Sequence, residues 1–285
     1  MKNISLASYY RLPTTLSIIR TFKCTAACTN CCFECTPKRN ETLKTEDVTR
    51  QVNYICKHFP SIHTIVITGG ETLIDIDATL EIVRIGKQNG LSTRIVTNGF
   101  WEKNEKSAID IISQCKLNGL NEINFSTGNE HQCYVKIENI CNGVYAALKH
   151  DIRVAINLET RIDSAFSKAS LVKKLSKDKN INISEVSIIN GLWMPFTTEG
   201  LCRLPKIEKH SFHPVMDRCD NLFTSLTIAP DNHLMACCGL PVRYIPYFDL
   251  GYASVEQIKN NYTTQFEDFI KIWLFVEGPY KILRF

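Results

Sequence analysis

Apolar residues recur along the chain with two alternating periods. Short runs rich in β-branched residues at 15–22, 62–68, 92–97, 121–127, 152–159 and 183–190 predict strands. The run at 62–68 reads Ile-His-Thr-Ile-Val-Ile-Thr, the composition of a strand buried on both faces. Between the runs, apolar residues fall three and four apart, as on one face of a helix. Val48, Val52, Ile55 and Phe59 mark a helix over 45–58, with Thr45, Glu46 and Asp47 suited to its amino end. Ile76, Leu80 and Val83 mark one over 76–89, stopped by Gly90. Ala108, Ile111, Ile112 and Cys115 mark 105–117. Ile137, Ile140, Cys141, Val144 and Leu148 mark 133–149, and Ala165, Ala169, Val172 and Leu175 mark 164–176. A strand followed by a helix roughly every thirty residues predicts an α/β fold with a parallel sheet and right-handed crossovers. Six such units are too few for a closed eight-stranded barrel. In either an open or a closed sheet the site lies at the carboxyl ends of the strands.

From 191 onward the pattern changes. Runs at 223–228 and 233–237 flank Pro230-Asp231-Asn232, turn chemistry that suits a β-hairpin. A helix is expected over 254–275, with Val255, Ile258, Tyr262, Phe266, Phe269 and Ile270 on one side. The expected division is a core of 1–190 and an appended segment of 191–285 packed on it.

Composition adds limits. Of 285 residues, 44% are hydrophobic and 22% charged, as in an ordinary globule, and the net charge of +4 is small and scattered. No nucleic-acid partner is expected. The first twenty residues lack the apolar core of a signal peptide, and no run approaches membrane-span length, so a cytoplasmic protein with no membrane partner is expected. Thirteen cysteines in such a chain read as metal ligands plus buried thiols rather than disulfides. Cys56, Cys115 and Cys141 fall on apolar stripes and are expected to fill core space.

The chemistry-bearing stretch is Cys24, Cys28 and Cys31, directly after the first strand. A short loop can turn three sulfurs toward one soft metal centre and leave a fourth position open. This C-x3-C-x2-C spacing, with Thr68-Gly69-Gly70-Glu71 and Thr97-Asn98-Gly99 at later strand ends, resembles the radical S-adenosylmethionine (SAM) enzymes. The three signals span roughly the first hundred residues. The resemblance implies a partial, TIM-like (β/α)6 barrel with a small hairpin-plus-helix extension. It implies a 4Fe–4S cluster on Cys24, Cys28 and Cys31, its fourth iron chelated by SAM. Gly69, Gly70 and Glu71 are then expected at the methionine amino group of SAM, Asn98 and Ser126 in the SAM pocket, and Asn157 at the cofactor. Residues 187–191 could close over the adenine. The bland alternative is a structural zinc knot. The family usually has an aromatic residue before the third cysteine; here that place is Asn30, and Phe33 is expected to cover the cluster instead. His131 reads equally well as a solvated loop residue or as part of the site.

Cys202, Cys219, Cys237 and Cys238, grouped around the hairpin, resemble a SPASM or, better, a shorter twitch extension, and so are candidate ligands of an auxiliary iron–sulfur cluster. The alternative is buried thiols or zinc. If the last two lay on a strand they would point oppositely, so only one would serve as a ligand. Cys32 and Cys35 stay unassigned. The resemblance implies a radical SAM enzyme acting on a peptide or protein side chain by crosslinking, epimerisation or oxidation, served by a flavodoxin or ferredoxin. A small-molecule substrate such as a sugar alcohol, and a non-catalytic iron–sulfur or zinc sensor, remain the alternatives. Only fourteen residues precede the first strand, too few for the leader-recognition domain found in part of the family.

Overall fold

Each β-branched run becomes a strand in a computed structural model of the chain, which describes residues 13–29, 31–160, 165–192, 218–219, 221–238 and 245–284. Six strands, β1 (Thr15–Ile19), β2 (Thr64–Thr68), β3 (Ser92–Thr97), β4 (Glu122–Thr127), β5 (Arg153–Thr160) and β6 (Val186–Leu192), pair in parallel in sequence order. Helices α1 (Thr45–His58), α2 (Ile76–Gln88), α3 (Glu105–Leu117), α4 (Asn129–Gln132), α5 (Ile137–Lys149) and α6 (Lys168–Lys179) lie between them. The sheet is open, as a six-unit barrel requires, with β6 at one edge.

One strand face carries Leu16, Ile18, Ile65, Ile67, Ile95, Ile123 and Phe125, all fully buried, against Val48, Val52, Ile55, Val83, Ile112 and Val144 of the helices. Cys115 and Cys141 lie in this core, and Cys56 packs partly buried against it. The opposite face looks into the open interior. There Arg94 and Glu122, cross-strand neighbours, form an ion pair with Nε 2.7 Å from Oε1.

The appended segment continues the same sheet. β7 (Ser225–Ile228) pairs in parallel with β1, Thr15 opposite Ser225, and β8 (His233–Met235) returns antiparallel as the turn chemistry predicts. A third strand, β9 (Asp249–Tyr252), is not evident from its sequence and forms the far edge. Gln51 of α1 locks this region down, its Nε2 donating to Asn232 Oδ1 at 2.6 Å and to the Ala253 carbonyl at 2.7 Å. Tyr262 packs edge-on against Phe59 and donates to the buried Phe223 carbonyl at 2.6 Å. Tyr262→Phe leaves that carbonyl unmet, so thermal denaturation should show a loss of about 1–3 kcal/mol.

Three expectations change. The helix expected over 254–275 is broken into Ile258–Thr263, a 3-10 turn at Thr264–Glu267 and Phe269–Glu277, because Asp268 caps the last piece by accepting from Lys271 N at 3.1 Å. The helix expected over 164–176 starts at Lys168, where Ser167 accepts from Ser170 N. That over 133–149 starts at Ile137, preceded by the single turn of α4. Among the described residues no helix is long and apolar enough to cross a membrane.

Candidate active site

Cys24, Cys28 and Cys31 line one cavity of about 320 Å³ at the carboxyl ends of the strands, together with Gly69, Gly70, Asn98, Ser126 and Asn157. Phe33, Cys32, Cys35, His131, Glu159 and Ile189 complete most of its wall. Eight of the expected cofactor and metal positions are thus brought to one place from the ends of β1, β2, β3, β4 and β5. Among the described residues no three His, Cys, Asp or Glu side chains gather tightly enough for a single metal ion.

The glycine turn after β2 owes its shape to backbone contacts. Gly70 N donates to the Thr21 carbonyl at 2.7 Å and Glu71 N to the Lys23 carbonyl at 2.9 Å, so the turn after β2 is stitched to the segment entering Cys24. A Cβ at Gly70 would lie 2.2 Å from the Lys23 oxygen and 3.1 Å from Cys24 Cβ. Only glycine permits that approach.

Glu71 departs from expectation. It is fully buried and does not line the cavity. Oε1 accepts from Leu73 N at 3.0 Å and Thr97 Oγ1 at 2.9 Å, and Oε2 from Asn98 N at 2.7 Å. Its carboxyl therefore ties the turn after β2 to the turn after β3 from beneath. Burial pushes its pKa up to about 7 against the lowering effect of those donors. Asn98, held in this way, donates from Nδ2 to Thr25 Oγ1 at 3.1 Å and toward Cys24 Sγ at 3.6 Å.

A third brace is not evident from the sequence. Glu130 at the start of α4 accepts from Thr29 N at 3.2 Å, and Tyr134 donates to the Ala27 carbonyl at 2.8 Å. Both hold the cysteine loop against the β4–α5 connection. Glu159 Oε1 in turn accepts from Glu130 N, and Glu159 Oε2 lies 3.5 Å from His131 Nδ1. His131 is therefore a cavity residue paired with a buried carboxylate, not a solvated loop histidine.

The thiols differ in environment. Burial raises Cys24 to about 11, and burial with the neighbouring thiols and Glu159 raises Cys28 further. Cys31 is lowered to about 6, chiefly by a hydrogen bond from the Cys35 thiol. Burial lifts Cys32 to about 12.

The auxiliary candidates divide. Cys202 and Asn30 lie outside the described residues. β8 ends at Met235, so Cys237 and Cys238 follow the strand rather than alternating on it. Cys238 is lowered to about 6, first by a hydrogen bond from the Cys237 thiol, with Ser17 and Ser225 also donating. Cys219 packs in a separate apolar cluster with Leu222, Phe223, Ala236 and Phe275. Among the described residues, none of Cys219, Cys237 and Cys238 lines the main cavity.

Glu102, just past the turn after β3, is a further buried carboxyl without a signal in the sequence. Neither oxygen has a hydrogen-bond partner among the described residues. Its surroundings are Gly99, Ile140 and Gly143, with Glu71 and Cys115 the titratable groups that act on it or on which it acts. Burial raises its pKa well above the ordinary carboxyl value, and the Glu71 charge adds to this. The folded chain thus binds more protons than the unfolded chain, whose carboxyls titrate near about 4.3, so stability falls as pH climbs above that value. The Glu71 contribution is lost by about pH 7 and that of Glu102 continues above it. In reduced metal-free protein, Glu102→Gln should flatten the decline in melting temperature between about pH 5 and 8.

Residues 18–159 match the family model described as the Radical SAM superfamily. YydG of Bacillus subtilis (strain 168), provisionally named for peptide biosynthesis, is 25% identical over 233 residues, covering 79% of this chain and 69% of YydG. Among solved structures, anSMEcpe with bound AdoMet and Cp18Cys peptide is similar at a TM-score of 0.60 and 12% identity, over 93% of this chain and 82% of that one. BtrN in complex with AdoMet and 2-DOIA is similar at 0.56 and 13% identity, over 95% and 90%.

Proposed function

The chain is a radical SAM superfamily protein, an enzyme of 4Fe–4S cluster and SAM chemistry, and from that premise we propose that it modifies a peptide or protein side chain. The observation that carries the site assignment is the meeting of Cys24, Cys28 and Cys31 with both glycine turns in one cavity. The peptide substrate class is supported by the provisional name of YydG and by the fold shared with peptide-bound anSMEcpe.

In this reading Cys24, Cys28 and Cys31 hold the cluster. The donor set fits: three sulfurs, two of them already receiving N–H hydrogen bonds, from Ala26 and Cys35 at 3.4 Å each. When bound, cluster and SAM supply one-electron cleavage of a sulfonium bond and hydrogen-atom abstraction by the resulting 5′-deoxyadenosyl radical. The chain's own residues arrange the space for it. Gly69 and Gly70 present backbone at the cavity edge. Asn98, Ser126 and Asn157 offer polar atoms to the nucleotide, and Glu71 fixes the two turns from below without touching it. Ile189, Val96, Leu158 and Phe33 make much of the wall apolar, which keeps water from a reactive carbon radical. Cys219, Cys237 and Cys238, with Cys202, are the candidate ligands of a second cluster, and a flavodoxin or ferredoxin supplies the electron in a cytoplasmic setting.

Fold similarity to BtrN keeps a small-molecule substrate as the second reading. The two separate by isotope transfer. The loaded protein is incubated anaerobically with SAM, reductant and either a deuterated peptide encoded beside its gene or a deuterated amino-sugar alcohol. Deuterium in 5′-deoxyadenosine from the peptide supports the proposal; deuterium only from the alcohol overturns it.

A further inference from the structure

Glu159 lines the cavity from the carboxyl end of β5, is 5% exposed, and has no part in holding the cluster or the nucleotide. Its place is built. Gly128 has φ +147°, and a Cβ there would overlap the Glu159 side chain, so the glycine makes room for the carboxylate. Oε1 accepts from Glu130 N. Oε2 accepts no hydrogen bond among the described residues, with His131 Nδ1 3.5 Å away. A buried carboxylate oxygen without a donor is costly, and a ligand N–H at that point removes the cost.

The surroundings leave space for such a ligand. β5 and β6 pair with Asn157 opposite Ile189 and Glu159 opposite Gly191, and all four residues line the cavity. Glu159 lies ~6.6 Å beyond Asn157 toward the carboxyl end of the strand. Across from it Gly191 is exposed on the edge strand of the sheet. Among the described residues nothing lies within 4 Å of a Cβ built on Gly191. The space beside the carboxylate is thus open toward the sheet edge.

Resting on the peptide reading above, we propose that Glu159 is a substrate-binding carboxylate: Oε2 takes an N–H donor of the peptide, which enters over Gly191 at the β6 edge. A peptide offers such donors at its backbone amides and at its ammonium groups. A hydrogen bond to a carboxylate is shorter and stronger than one between neutral groups, so a single contact of this kind can fix which carbon of the substrate meets the radical. Glu159 performs no chemical step itself.

The test uses reconstituted full-length protein, SAM and the peptide encoded beside its gene, with a dye-labelled copy for equilibrium binding. Glu159→Gln keeps the oxygen that accepts from Glu130 N and turns Oε2 from an acceptor into a donor. Gly191→Leu fills the open space without touching that brace. In each variant peptide affinity should fall roughly ten- to a hundredfold, as for one lost hydrogen bond to a charged group. The loss should fall on KM for the peptide more than on kcat, with iron content and SAM affinity in equilibrium dialysis close to wild type. Acetylating the peptide's amines identifies the donor: an affinity lost to the extent seen in Glu159→Gln assigns an ammonium, an affinity retained a backbone amide. Unchanged peptide affinity in Glu159→Gln overturns the proposal. So does an equal loss of SAM affinity, which would make Glu159 a nucleotide contact or a brace. Should Glu159→Gln lose its iron, Gly191→Leu decides, and unchanged peptide affinity there overturns the proposal. Wild-type protein that shows no saturable peptide binding defeats the peptide reading, and this proposal with it, a distinct result.

Discussion

Replacing Cys24, Cys28 and Cys31 together with alanine is expected to remove about four irons and four sulfides per chain and to abolish SAM cleavage. Formation of 5′-deoxyadenosine should fall at least about a thousandfold, to the background of free reductant. The fold should survive, because these thiols belong to a small satellite cluster beside the cavity and not to the main core. The shift in melting temperature of the metal-free protein should be no more than that of an ordinary mildly destabilising substitution. If the wild type holds about eight irons, the variant should keep about four, which would locate the remainder in the appended segment. Iron and sulfide analysis with product chromatography checks both outcomes.

The second large effect belongs to Gly70. In Gly70→Ala the new methyl group would meet the Lys23 carbonyl oxygen at 2.2 Å and its carbon at 2.6 Å. These are backbone atoms of the segment that enters Cys24, so neither can swing aside. Either the turn after β2 or the cysteine loop must move, and with it the bonds Gly70 N to Thr21 O and Glu71 N to Lys23 O. Overpacking of this kind costs about 1–3 kcal/mol or more, and the displaced loop should lose most of its affinity for SAM in equilibrium dialysis. Gly90→Ala is the control. Gly90 has φ +76° but open space around its Cβ position, so only backbone strain of about 1–2 kcal/mol is expected, with SAM binding intact.

Much of this arrangement was legible because it rests on local periodicity. The strand runs and helix stripes need only neighbouring residues to declare themselves, and the three motifs sit at strand ends by sequence position alone. Glu71 shows where such reading stops. Its place in Gly-Gly-Glu suggested a ligand contact, yet a carboxylate can satisfy four donors, and here three come from the chain itself, two of them from the carboxyl end of β3 and the residue after it. That preference appears only when two turns far apart in sequence are brought together. Glu130, Tyr134 and Glu159 were silent for the same reason: each braces the cysteine loop from more than a hundred residues away or through another brace. The tail helix misled because its apolar spacing runs on through Asp268, whose capping preference wins locally over the pattern. β9 had no signal because Asp249–Tyr252 is short and takes its pairing from β8.

The most direct test of the whole account is the response of the reduced metal centre to SAM. Wild-type protein purified without oxygen is reduced by one electron, its paramagnetic spectrum recorded with and without SAM, and the products separated. A spectrum that changes on adding SAM, with 5′-deoxyadenosine and methionine formed together, is the predicted result. Zinc at the three amino-terminal thiols, or an iron–sulfur spectrum indifferent to SAM with no 5′-deoxyadenosine, would contradict it.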